Sequence, residues 1–288
     1  MQGYGTEFGS ITATEAGMEL PEAALKIGAA GKWQHFQKDF FYRLVGLILG
    51  GSMSIGVLVF EGMKVGFLPG DFKISLDESD EAKSHAILST AYNVLPIWLR
   101  VARDNLNQSK TASNDIEKNW NNADDSERKE LLITELEPSL QVFVSCAIVL
   151  DALYYQLRPY AKLSQNDTNK WRDNRTGRAK QIAEVIRRVY KLDKDIFKQF
   201  RQNISEIIKY RDLAVHPSLE LKNSSSRPDI PVGVDWKFAM YRYPNSERCF
   251  VSTIGMLRYL HKNKCDEKGV LETMENVFKA LHELKVIE

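Results

Sequence analysis

The stretch K-Y-R-D-L-A-V-H-P-S-L-E, Lys209 to Glu220, closes a long periodic segment and decides how the chain before it is read. Phe200, Ile204 and Ile207 lead to Arg211 and Val215 by steps of three and four, and Ile208 leads to Asp212 and His216 by fours. Both rows carry the period of a helix. Pro217 disfavours the α conformation at the residue before it. The helix is therefore expected to end near Val215, freeing the His216 imidazole from helical geometry. An apolar face that continues into Arg, Asp and His must emerge at a domain edge or meet a partner, because such groups are not buried alone. A histidine at a helix C-terminus also has a purely structural use, complementing the dipole. A fixed cation beside a group that titrates near neutral pH suits phosphodiester cleavage, where a proton moves and negative charge builds on phosphorus.

Working outward, most of the chain reads as helix. From Asp80, the spacing of Ile87, Ala91, Val94, Leu95, Trp98 and Ala102 predicts a helix that Pro96 should kink. An acidic, Asn-rich loop is expected from Ser109 to about Glu130. A second helix should run from near Pro138 to Arg158 and stop at Pro159; its V-F-V-S-C-A-I-V-L run is apolar nearly all round, which places it centrally. A polar loop, Ser164 to Thr176, leads to a third helix carrying Ile182, Val185, Ile186 and Val189, and the fourth starts near Asp193. Beyond a loop at Ser224–Pro228, W-K-F-A-M-Y-R-Y and R-C-F-V-S read as a hairpin turning at P-N-S-E, with one or two helices to close.

The N-terminal side differs. Residues 1–31 read as a loose arm, with a short helix opening at Pro21. Leu44 to Phe60 holds no charge over 17 residues. It is either a buried hairpin turning at Gly50, Gly51 and Ser52 or a segment near the lower limit for a membrane span. Lys64–Leu68 and Phe72–Leu76 extend it as a small meander. The expected fold is mainly α: a four-helix core with small β elaborations on the N-terminal side and after the motif helix. Its divisions fall at 1–79, 80–221 and 222–288.

At 288 residues the chain can bury a real core, and its net charge of +1 means that any attraction to nucleic acid must be local. Such a bias exists: between Arg158 and Arg201 stand 13 Lys or Arg against 5 Asp or Glu. Arg175, Arg178, Lys180, Arg187 and Arg188 fall in this run and are candidate phosphate contacts, with Trp171 and Tyr190 as candidates for stacking on bases. A solvated helix face accounts for the same charges. Asp151 and Ser145 lie within the very apolar second helix; a buried carboxylate needs a partner, and Arg211 is a candidate. Three cysteines, Cys146, Cys249 and Cys265, show no paired or metal-type spacing, which fits a reducing, cytoplasmic setting. His261 and Cys265 stand four apart, too few ligands for zinc, and no metal or cofactor is expected.

The R-D-L-A-V-H segment, preceded by the helix S-C-A-I-V-L-D-A-L-Y-Y, resembles the HEPN superfamily over roughly Asp80 to Leu221. The resemblance implies a helical domain in which Arg211, Asp212 and His216 fill the family's Arg-polar-x3-His positions. It further implies a metal-independent endoribonuclease, built as a homodimer whose two motif helices meet at a two-fold and line one cleft. On that footing His216 moves the proton, Arg211 holds the phosphate, and Asp212 orients one of them. Toxin and anti-phage effectors belong to this family, and an antitoxin or sensor partner would fit such a role. Other members bind RNA, nucleotide or protein without catalysis. Members regulated through a Tyr two residues after the motif His differ from this chain, which has Ser218 there.

Overall fold

The computed structural model describes residues 58–59, 63–69, 71–76, 82–86, 89–216, 221–263 and 265–288. The expected N-terminal arm and nearly all of Leu44–Phe60 lie outside them, as do Pro217 and Ser218. The protein is mainly helical, with eight α-helices and six short strands among the described residues. The chain forms two compact units, one containing Val65–Ser89 and the other Val59–Lys64 with Thr90–Glu288.

In the first unit, β2 (Phe72–Leu76) pairs antiparallel with β3 (Ala82–Ala86), Phe72 opposite Ala86. The Asp71 carboxylate closes the approach to β2 by accepting hydrogen bonds from the Leu68 N–H at 2.7 Å and the Ser89 hydroxyl at 2.6 Å. The chain passes between the units at β1 (Met63–Gly66) and β4 (Ser89–Tyr92). The helix expected from Asp80 is therefore corrected: strands occupy its first half. Helix α1 (Leu95–Asn119) begins only where the Asn93 side chain accepts the Leu95 N–H at 3.1 Å. Pro96 opens that helix instead of kinking it, because a first-turn residue has no helical N–H bond to lose.

In the second unit, the loop expected over Ser109–Glu130 shrinks to 120–124, between α1 and α2 (Asp125–Leu157). Two acidic residues of the expected loop, Asp124 and Glu127, are helix-capping groups. The Asp124 side chain accepts the Glu127 N–H and the Glu127 side chain accepts the Asp124 N–H, each at 2.8 Å. Pro138 lies inside α2, not at its start. Lost bonding at a proline costs about 3 kcal/mol or more in isolation, and here the helix is held by burial on both sides of it. Val142, Phe143, Cys146, Val149, Leu150, Leu153 and Leu157 are all buried. This helix is long and apolar enough to cross a membrane by length and composition, yet 56% of its most apolar window is buried within the fold. It packs against α1, α4 (Arg178–Tyr190), α5 (Lys194–Val215) and α7 (Tyr243–Lys262), the central position its composition predicts.

The expected polar loop 164–176 contains a short helix, α3 (Gln165–Asp173), capped reciprocally by Ser164 and Asp167. After it, α4 ends at Lys191, whose φ of 50° reverses the chain, and Asp193 caps α5 by accepting the N–H groups of Asp195 and Ile196. The hairpin expected after Pro228 is also corrected: its residues form α6 (Trp236–Met240) and α7. Pro244 sits in the first turn of α7, and Ser246, Cys249, Thr253, Leu257 and Leu260 bury one helical face. Helix α8 (Lys268–Glu283) completes the unit.

A buried ionic network ties the connection between α5 and α6 to the long helix. The side chains of Arg227 and Glu135 are each 1% exposed and stand 2.8 Å apart. Arg227 also donates to Asp229 and to the Phe238 carbonyl, while Glu135 accepts the Tyr243 N–H at 2.9 Å. Arg242 lies 3.6 Å from Asp229. Nearby β5 (Ser225–Ser226) and β6 (Gly233–Val234) pair antiparallel.

Candidate active site at the end of helix α5

Phe200, Ile204, Ile207 and Ile208 hold α5 in the core, and beyond them the helix runs out to the surface. Its last residue, Val215, is 45% exposed. His216 caps the helix with φ −120° and ψ 67°, outside the helical region, while its N–H still bonds to the Asp212 carbonyl at 2.9 Å. The imidazole is exposed. The rows that share a face in sequence thus emerge at a domain edge.

Asp151, on the last third of α2, organises the site. Its Oδ1 accepts a hydrogen bond of 2.6 Å from Arg178 Nε at the start of α4, and its Oδ2 lies 3.7 Å from Arg211 Nη1 on α5. One carboxylate therefore bridges arginines from two other helices. Burial opposes the charge on Arg178, but the Asp151 hydrogen bond and the charge behind it outweigh that, holding the guanidinium above its ordinary pKa. The same guanidinium sits 3.7 Å over the Tyr154 ring and 4.8 Å from that of Tyr155, a cation–π arrangement that orients it. On its other side Arg211 meets Asp212: Nε lies 2.7 Å from Oδ1. The angle there is poor, and the buried Nε–H has no hydrogen-bond acceptor.

Four charges, two of each sign, converge here: Asp151, Asp212, Arg178 and Arg211. The Arg211 side chain is 22% exposed and that of Asp212 is 53%. A partly buried guanidinium, an exposed imidazole at the same helix end and a half-exposed carboxylate between them in sequence can hold an anion and exchange a proton with it. No contact joins the His216 ring to Arg211 within the chain among the described residues.

The other sequence candidates separate in space. Ser145 is fully buried and takes a hydrogen bond from Gln141 at 3.3 Å; six residues before Asp151, it lies on a different face of α2. Arg187 and Arg188 are engaged within the chain. Both bind the Glu184 carboxylate, and Arg188 also binds Asp167 at 2.9 Å and 3.1 Å. Hydrogen bonds from Arg188 first, then from Ser164, hold the Asp167 carboxyl well below the usual carboxylate range. Arg175 and Lys180 are exposed and make no ion pair among the described residues. Tyr190 packs on the core, partly buried, with its hydroxyl buried and unpartnered, and burial pushes its pKa up. His261 bonds to Glu275 at 2.9 Å and stacks on Phe278.

Sequence reasoning missed Arg178 as the partner of Asp151, and the Glu135–Arg227 pair altogether. One signal for the latter was present: Glu135 stands on the row Leu132, Ser139, Val142 and Cys146, an acid on an apolar helix face. Comparison of the chain with protein-family models, with curated proteins and with solved structures finds no match.

Proposed function

We propose that this chain is a metal-independent endoribonuclease of the HEPN type, working as a two-fold homodimer in the cytoplasm as a toxin or anti-phage effector. The observation that carries it is the Asp151-anchored Arg211 beside an exposed His216 at the end of one helix. His216 takes the proton of a ribose 2′-hydroxyl as the 2′-oxygen attacks phosphorus, and the 5′-oxygen leaves with a proton supplied by the second imidazole of the dimer. Arg211 carries the charge that builds on the phosphoryl oxygens. The products are a 2′,3′-cyclic phosphate and a 5′-hydroxyl.

The dimer matters because Arg211 and His216 do not touch within one protomer, and a second copy across the two-fold supplies the missing approach. Exposed Val215 and Tyr155, 45% and 64% exposed, flank the cluster and offer apolar surface for that pairing. The alternative is a binding module without catalysis. It is favoured by one observation: Arg211 already has carboxylates on two sides.

The test is RNA cleavage in EDTA by wild type and His216→Ala, with end-group analysis of the products. Cleavage by wild type alone, leaving cyclic phosphate and 5′-hydroxyl ends, is the expected result. Equal cleavage by both proteins overturns the assignment of His216. RNA binding by both without cleavage by either selects the binding module.

A further inference from the structure

An open groove of about 310 Å³ lies between α3, α4 and the start of α5, lined by Trp171, Thr176, Lys180, Glu184, Phe197 and Arg201. Its volume falls at the small end of the range of ligand sites, roughly 300–1,000 Å³. Its walls are two aromatic rings, and its only acid is spent. Hydrogen bonds from Arg187, then Arg188, hold Glu184 ionised and below its ordinary pKa. The side chains of Lys180 and Arg201, by contrast, are exposed and make neither ion pair nor hydrogen bond among the described residues. Arg187 adds a guanidinium 5.6 Å from the Phe197 ring. The groove therefore joins flat apolar faces to unneutralised positive charge.

The groove also has a path to the site described above. Along α5, Arg201, Ser205, Lys209, Asp212 and His216 follow one another by steps of four, four, three and four, so they form one row on the helix surface. Arg201, Lys209, Asp212 and His216 are exposed, and Ser205 is half-buried. The row spans about 22 Å at 1.5 Å per residue. Its middle cation, Lys209, is paired with no carboxylate and rests 5.5 Å from the Tyr210 ring.

We propose that the groove is a nucleotide subsite: it takes an aromatic base against Trp171 and Phe197 and the adjoining phosphate on Lys180 and Arg201. The occupant is a nucleotide of the RNA strand being cleaved, remote from the scissile bond, with the strand running along the α5 row to His216. This rests on the ribonuclease reading for its direction, but binding in the groove can be measured without catalysis. An acidic peptide would use the two cations and leave the paired rings without a purpose, whereas every base has a face to stack.

The experiment titrates a fluorescein-labelled, mixed-sequence RNA of about twelve nucleotides by anisotropy, on a His216→Ala background that leaves the strand intact. Lys180→Ala/Arg201→Ala and, separately, Phe197→Leu are compared with that parent at two salt concentrations, with circular dichroism to confirm folding. The double variant should weaken binding about tenfold or more and flatten the salt dependence by up to two phosphate contacts. Phe197→Leu should weaken it several-fold with the salt slope unchanged, a split that general surface charge cannot produce. Affinity for the RNA that is unaltered in both variants, with adenosine triphosphate binding parent and double variant alike or neither, overturns the subsite. A parallel arm uses adenosine triphosphate. If the triphosphate binds the parent and not the double variant while RNA affinity is unaltered, the subsite stands for a free nucleotide and the strand path falls. Failure of wild type to cleave RNA, with these binding losses intact, would remove the ribonuclease reading and leave the groove assigned.

Discussion

Replacing Glu135 by Leu should destabilise the helical unit more than any change at the surface site. Its side chain is 1% exposed, forms an ion pair with the buried Arg227 guanidinium at 2.8 Å and accepts the Tyr243 N–H at 2.9 Å. Removing one partner of a buried ion pair costs about 3–5 kcal/mol, because the remaining charge stays buried. Asp229 continues to neutralise Arg227, which argues for the lower end, and the orphaned Tyr243 N–H argues against going below it. For a unit of this size a loss of about 3–5 kcal/mol lowers Tm by about 6–20 °C. Arg227→Met should do at least as much, since it strands Glu135 and leaves Asp229 with only Arg242 at 3.6 Å. The double variant removes both charges together and should recover part of the loss, a coupling of about 1–3 kcal/mol. Thermal and urea unfolding of the four proteins, followed by circular dichroism, closes the cycle. Single variants that lose less than about 3 °C, or a double variant whose loss is the plain sum, would refute the network as an anchor.

Asp151→Asn removes the shared counter-charge of Arg178 and Arg211, whose side chains are 26% and 22% exposed. It should cost about 1–3 kcal/mol in urea unfolding, and an unchanged midpoint would mean that the bridge does not hold the two helices. The Tyr241 hydroxyl donates to the Tyr210 carbonyl at 2.8 Å, and burial pushes its pKa up to about 12 from 10.0, with the neighbouring Tyr210 adding to the rise. The folded state thus keeps this proton more tightly than the unfolded chain. Its contribution is complete below pH 10.0 and is lost as pH rises toward about 12. Tyr241→Phe should flatten the fall of the urea midpoint over that window, and an identical slope would assign the fall elsewhere.

Much of the helical core is legible in the sequence, and the exceptions share a physical cause. Helix α5 is bounded by Asp193 and by the residue before Pro217, both strong local signals, and its buried row is read directly from spacing. The centre of α2 is equally plain from its run of apolar residues. Its first turns are not, because Asp, Asn, Ser and Glu serve both loops and helix caps, and only the reciprocal bonding of Asp124 with Glu127 distinguishes the two uses. The segment from Trp236 carries aromatic residues that favour strands locally. Burial of Cys249, Thr253, Leu257 and Leu260 on one side overrides that preference, which is tertiary information. Over Ala82–Tyr92 the error runs the other way: a few apolar residues at helical intervals read as a helix where the chain forms strands.

The candidate site divides along the same line. Arg211, Asp212 and His216 are adjacent in the chain, so one stretch of sequence contains them all, and Asp151 stands out as an acid in an apolar helix. What sequence does not reveal is Arg178, whose place at the first turn of α4 gives no hint that it bonds across to Asp151 on α2. That link bears on the proposed chemistry. Arg211 stands between two acids of unequal hold: Asp151, shared with Arg178 and three-quarters buried, and Asp212, half-exposed and poorly aligned with Nε. On the reading proposed above, a substrate phosphate would compete with Asp212, the less firmly held acid, for the exposed part of the Arg211 guanidinium, since a charge-assisted bond of good geometry is the stronger interaction. Asp212, on the row that also carries His216, would then be displaced, while Asp151 would keep the guanidinium fixed from behind. On that reading the two carboxylates would have separate tasks, one to hold Arg211 in place and one to neutralise it until substrate takes over.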